Sequence, residues 1–176
     1  VIPPEYCPAC GAKLYEDGAH IFCPNEYGCR PQVIGRLEHF TSKECMDIRG
    51  ISEKSIAQLY DALGVRSLID LYSLTADKLK SLDGFRDKKA ENFVSSIEKS
   101  KSAPLDRFIN ALGIENVGKK SAKDLAKAFG SIDELASATK EELTAIPDVG
   151  DVVADCIVAY FQKHTETIQK FKEIGI

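Results

Sequence analysis

A chain of 176 residues with an apolar fraction of 44% can build one ordinary hydrophobic core and a small extra module. No run of 18 apolar residues, signal-peptide pattern or low-complexity tail interrupts it, which predicts a soluble protein of the cytoplasm with no membrane contact. The net charge of −4 excludes a surface that holds polyanions by bulk charge, so any such site has to be built from placed groups.

The first predicted element is a metal module over residues 1–30. In "CPACGAKLYEDGAHIFCPNEYGC", Cys7 and Cys10 form a CxxC pair, and Cys23 and Cys29 follow twelve residues later with five between them. One glycine follows the first pair and another precedes the last cysteine, which suits tight turns that aim both sulfur pairs at one point. So short a segment has too little core to fold alone, and zinc–thiolate bonding of roughly 10 to 16 kcal/mol would supply the missing stabilisation. A four-cysteine Zn2+ site with short β strands is expected, with His20 or His39 in place of one cysteine as the alternative. Four thiolates close the coordination shell, so the site is structural and not catalytic. Cys45 and Cys156 fall outside the pattern and are expected to be small core residues.

A connecting helix is expected over residues 31–45, followed by two pairs of repeats over 46–103 and 104–176. The repeats are "IRGISEKSI" from Ile48, "LDGFRDKKA" from Leu82, "IENVGKKSA" from Ile114 and "IPDVGDVVA" from Ile146, at spacings of 34, 32 and 32 residues. Each runs from an apolar residue through a turn former to a second apolar residue and a helix entrance. The turn formers Gly50, Gly84, Asn116 and Asp148 all tolerate a left-handed backbone. Amphipathic helices follow, with stripes Ile56, Leu59, Leu63; Ala90, Phe93, Ile97; Ala122, Leu125, Phe129; and Ala154, Ile157, Phe161, read as core. "TADKLKSL" and "TKEELTAI" begin with threonine caps, so each unit reads as helix, hairpin, helix, the units pairing one with two and three with four.

Backbone amides at a helix entrance lack intrahelical acceptors and attract anions, and a glycine there lets a phosphate approach closely. The entrance positions are Ser52, Arg86, Gly118 and Gly150, with Lys54, Lys88, Lys89, Lys119 and Lys120 beside the first three and Asp151 and Val152 at the fourth. Arg30, Arg36 and Arg49 are weaker candidates. For a single stretch, the plain alternative is a tight turn between packed helices. Residues 46–103 hold ten Lys+Arg against nine Asp+Glu, and residues 104–176 hold nine against twelve, so the lysines near the bends matter more than overall charge.

The four repeats resemble helix-hairpin-helix motifs. Together with the cysteine module, "RPQVIGRLEHFTSKECMDIRGISEKSIAQLYDALGVRSLIDLYSLT" and "EKSKSAPLDRFINALGIENVGKKSAKDLAKAFGSIDELASATKEELTAIPDVGDVVADCIVAYF" resemble bacterial NAD-dependent DNA ligases over nearly the whole chain. The resemblance implies a mainly α fold that binds nicked duplex DNA through phosphates, in a monomer serving DNA replication and repair. It also implies that NAD and Mg2+ act only through domains absent here, and that the missing adenylation, OB and BRCT domains of the parent are its partners. That family's nucleophilic lysine stands in KxDG; in "KSLDG", Lys80 is one residue too far from Asp83, so no catalytic residue is expected. The competing expectation is a protein-interaction scaffold that keeps the fold without phosphate contacts.

Overall fold

In the computed structural model, which describes residues 2–176, a two-stranded finger leads into ten α-helices. Strand β1 (Tyr15–Asp17) pairs antiparallel with β2 (His20–Phe22), Tyr15 opposite Phe22, and Gly18 turns the chain between them at φ 62°. A bridge between Tyr6 and Lys13 closes the first cysteine knuckle. The helices are α1 (Arg30–Thr41), α2 (Glu53–Leu63), α3 (Ala76–Lys80), α4 (Asp87–Ser100), α5 (Leu105–Ala111), α6 (Lys119–Phe129), α7 (Ile132–Ala136), α8 (Lys140–Thr144), α9 (Asp151–Lys163) and α10 (Thr165–Glu173). A 3₁₀ helix over Leu68–Ser73 separates α2 from α3.

Local chemistry places the boundaries. Thr75 caps α3 by accepting from the Lys78 amide, and Thr139 and Glu142 form a reciprocal capping box on α8. Helices α2 and α6 stop at Gly64 and Gly130, both in the left-handed region that ends a helix without a Cβ clash. Four helix pairs pack directly: α1 on α2, α3 on α4, α5 on α6 and α8 on α9. Each is a helix-hairpin-helix unit, and α1 supplies the first helix of the first unit.

The apolar stripes read from the sequence enter the core at Ile56, Leu59, Ala90, Phe93, Ile97, Ala122, Leu125, Ala154, Ile157 and Phe161. Leu63 and Phe129, at the ends of their helices, stay half-buried. Cys45 is fully buried as expected, but Cys156 is not a core residue: it is half-buried on α9, and its Sγ accepts from Asn116 Nδ2 at 3.4 Å. Position 156 falls one residue short of the buried stripe position Ile157.

The units do not meet only as neighbouring pairs. Helix α1 packs on α5, and His39 Nε2 bonds the Asn110 carbonyl at 2.7 Å, so the first unit also touches the third. The 3₁₀ helix packs on α1, α4 and α10, which carries the second unit onto the rest. Helix α10 inserts Phe171 among Phe40, Tyr72 and Phe108, with ring centroids 6.1, 5.8 and 5.2 Å away. Lys163 pairs with Glu26 at 2.9 Å and Tyr27 bonds His164, tying the finger to the end of α9. Among the described residues, no helix is long and apolar enough to cross a membrane.

Candidate metal centre and nucleic-acid interface

The Sγ atoms of Cys7, Cys10, Cys23 and Cys29 all lie within 4.8 Å of one another, with Cys7–Cys29 at 4.0 Å and Cys10–Cys23 at 3.5 Å. A tetrahedron of thiolates at a metal–sulfur distance of about 2.3 Å has edges of about 3.8 Å, so the cluster fits one ion. Backbone turns aim the sulfurs. Gly11 donates to the Cys7 carbonyl at 2.8 Å from a left-handed conformation with φ 75°. At Gly28 an added Cβ would meet Asn25 Oδ1 at 2.6 Å, so a larger residue before the last cysteine has to displace the Asn25 side chain. Cys29 is also the N-cap residue of α1, which bolts the finger to the helical body.

The Ala12 amide lowers the Cys10 thiol to about 7, whereas desolvation pushes Cys23 up to about 12. A bound dication removes this conflict by holding every ligand as a thiolate. Neither histidine joins the cluster: His20 lies exposed on β2, and the His39 ring is bonded to the Asn110 carbonyl.

The second site is distributed over the bends. Gly50, Gly84, Asn116 and Asp148 adopt φ of 90°, 82°, 63° and 68°, and all four are exposed. Two places further on, Ser52, Arg86, Gly118 and Gly150 are the N-cap residues of α2, α4, α6 and α9. Buried Ile48, Leu82 and Ile114 and half-buried Ile146 anchor the near side of each bend, and buried Phe85, Val117 and Val149 anchor the far side of the last three. The bends are thereby pinned from below while their apices stay in solvent.

The entrances differ chemically. Ser52 Oγ accepts from the Ser55 amide, which occupies one donor of the first entrance. The entrances of α4, α6 and α9 have no side-chain cap, and a Cβ at Gly118 or Gly150 would meet nothing within 4 Å. Their first-turn amides are therefore available to an anion.

Three bends are drawn together. Lys119 Nζ donates to Glu44 Oε2 at 2.6 Å, linking the third bend to the loop before the first, and Lys120 Nζ donates to Asp148 Oδ2 at 2.8 Å, linking it to the fourth. Each lysine neighbour holds its carboxyl below the ordinary value. The second bend has its own partners, with Lys80 pairing Asp77 and Asp87. Lys54 and Lys88 are exposed, whereas Lys89 folds back over the Phe85 ring, 4.4 Å from its centre. Arg30 is engaged by Asp61, Arg49 by Asp47, and Arg36 by the Glu26 carbonyl and the Tyr27 ring.

Glu44, Lys43 and Arg107 were not legible as members of this surface. Arg107 and Lys43 lie near enough to Glu44 and Asp47 to lower both carboxyls, although Arg107 is separated from them by some sixty residues of chain. No local pattern announces such a meeting, which depends on α1 packing against α5.

Comparison with known proteins agrees with this geometry. Residues 42–99 match a family model described as a SAM-like helix-hairpin-helix tandem, and residues 107–170 match a helix-hairpin-helix motif. A DNA ligase of Clostridium perfringens is 47% identical over 171 residues, 97% of this chain and 26% of the relative. A DNA ligase of Alkaliphilus metalliredigens is 46% identical over 159 residues, 90% of this chain and 24% of the relative. DNA ligase 2 of Clostridium acetobutylicum is 43% identical over 98% of this chain and 26% of the relative. The chain spans about a quarter of the length of these relatives. With its cysteine finger and four packed helix-hairpin-helix units, the chain therefore corresponds, over nearly its whole length, to one segment of a bacterial DNA ligase.

Proposed function

We propose that this chain is the duplex-gripping segment of an NAD-dependent DNA ligase, holding nicked DNA for strand sealing in replication and repair. The observation that carries the reading is the recurrence, four times, of an exposed left-handed apex followed by an exposed helix entrance. Such entrances present main-chain N–H groups to phosphate oxygens and ignore base identity, which suits an enzyme that works at any sequence. In this reading Gly118 and Gly150 admit the backbone of the duplex closely, while Lys54, Lys88, Lys119 and Lys120 add charge at the rim. Lys89 contributes less, being engaged with Phe85.

The four cysteines hold Zn2+, which contributes the folding free energy that the coreless finger lacks. Adenylate transfer from NAD and its Mg2+ chemistry belong to domains outside this chain, its partners there being adenylation, OB and BRCT domains, and no step of the reaction is assigned to residues here. The segment acts as a monomer in the cytoplasm.

A specific feature favours a second reading for the last unit alone. Its bend carries Asp148 and Asp151, and Val152 is 69% exposed, which suits contact with protein better than with phosphate. Titration of a labelled nicked duplex at several salt concentrations tests the duplex reading. Neutralising about four to eight phosphates gives a log–log slope of roughly −4 to −7. A K119Q/K120Q variant is expected to bind more weakly than D151N. Binding that ignores salt, or equal small effects of the two variants, supports the protein-scaffold alternative.

A further inference from the structure

The two lysines that open α6 beside the third bend are each held by a carboxylate from another unit. Glu44 lies in the loop before the first bend, and Asp148 is the apex of the fourth, yet their partners Lys119 and Lys120 open the same helix. These are the shortest ammonium–carboxylate contacts around the bends, at 2.6 and 2.8 Å. The lysine side chains remain 62% and 79% exposed, so an incoming anion can reach both. A phosphate oxygen and a carboxylate oxygen use the same ammonium hydrogens, and two anions gathered on one cation repel each other. Lys43 and Arg107 also face Glu44, and Asp124 lies near Lys120, so the carboxylates sit in a mixed field and not in an acidic patch.

We propose that Glu44 and Asp148 act as internal competitors of DNA phosphate, occupying Lys119 and Lys120 until a duplex seated on the third bend displaces them. This inference rests on the duplex-binding reading and adds a restraint to it. Both lysines open α6, so a phosphate arriving at the third bend has to displace a carboxylate of the first unit and one of the fourth. Background affinity is therefore kept low.

The test uses the whole chain and a fluorescently labelled nicked duplex, read by anisotropy at low and high salt. The variant E44Q/D148N removes both competitors. Asparagine keeps the left-handed apex at position 148, as Asn116 does in the third unit at φ 63°. A control with the same charge change, E134Q/E173Q, alters exposed residues on α7 and α10, outside the bends. E44Q/D148N is expected to bind about three- to tenfold tighter than the parent at low salt, more than the control, with the gap closing as salt screens both interactions.

Equal gains in the two double variants, no gain, or a loss in E44Q/D148N overturn the inference. Duplex binding that weakens in K119Q/K120Q but is unchanged in E44Q/D148N overturns this inference while leaving the duplex reading intact. Absence of duplex binding in every form overturns both.

Discussion

Gly84 and Gly118 stand in successive bends and answer to different physics. Gly84 holds the apex at φ 82°, where an L side chain is strained whatever space surrounds it. Gly118 sits at φ −101°, extended backbone open to any residue, with empty space in front of it. Gly84→Ala is therefore expected to cost about 1 to 2 kcal/mol in urea unfolding, the strain of a left-handed non-glycine residue. Gly118→Ala should cost less than about 1 kcal/mol, a modest N-cap effect. Its main consequence appears in duplex titration, where a methyl group in the path of a phosphate should weaken binding several-fold. If G118A binds as the parent does, close backbone approach at the third bend is not used. The turn formers were legible because glycine, asparagine and aspartate at matching places have one shared property, tolerance of positive φ. The partners of Lys119 and Lys120 were not, because a side chain's ion pair is decided by what another segment brings near.

At the scale of elements, the finger and the helices obey separate stabilities. Every residue of β1 and β2 is exposed, so the strands bury no core and depend on the sulfur cluster. Removing the metal with a chelator is expected to release four cysteines to a thiol reagent. Cys45, fully buried, stays slow, and the helical circular dichroism is retained. Loss of most helical signal on chelation would mean that the finger supports the body more than its exposed strands suggest. The cysteine spacing announced this element, since CxxC and two further cysteines can close on one ion only through tight turns. Helix α10 went unread, although its Ile168 and Phe171 are buried. The repeats ended before it, and periodicity within nine residues says little without a partner to pack on.

For the molecule as a whole, Phe171 is the point where several units depend on one side chain. Its ring lies among Phe40 of α1, Tyr72 of the 3₁₀ helix and Phe108 of α5, and it is 1% exposed. Phe171→Ala is expected to destabilise the chain by about 3 to 5 kcal/mol, the usual cost of emptying a large aromatic site. Circular dichroism during urea titration reads this loss. A change below 1 kcal/mol would show, on the same scale, that α10 is only a peripheral strap. The consequence for the bends follows from packing, since α1 and α5 carry the first and third units that Lys119 and Glu44 join.

Helix periodicity, turn chemistry and cysteine spacing are local properties, each written within a few dozen residues, and they determined the four units, the left-handed apices and the sulfur ligands available to a metal. Which bends share a neighbourhood is a different kind of quantity. It depends on how α1, α5 and α10 fill one core, a choice among packings that short-range sequence cannot distinguish. Only the tertiary structure therefore revealed that the first, third and fourth units meet here and that Glu44 and Asp148 pair with the two lysines that open α6.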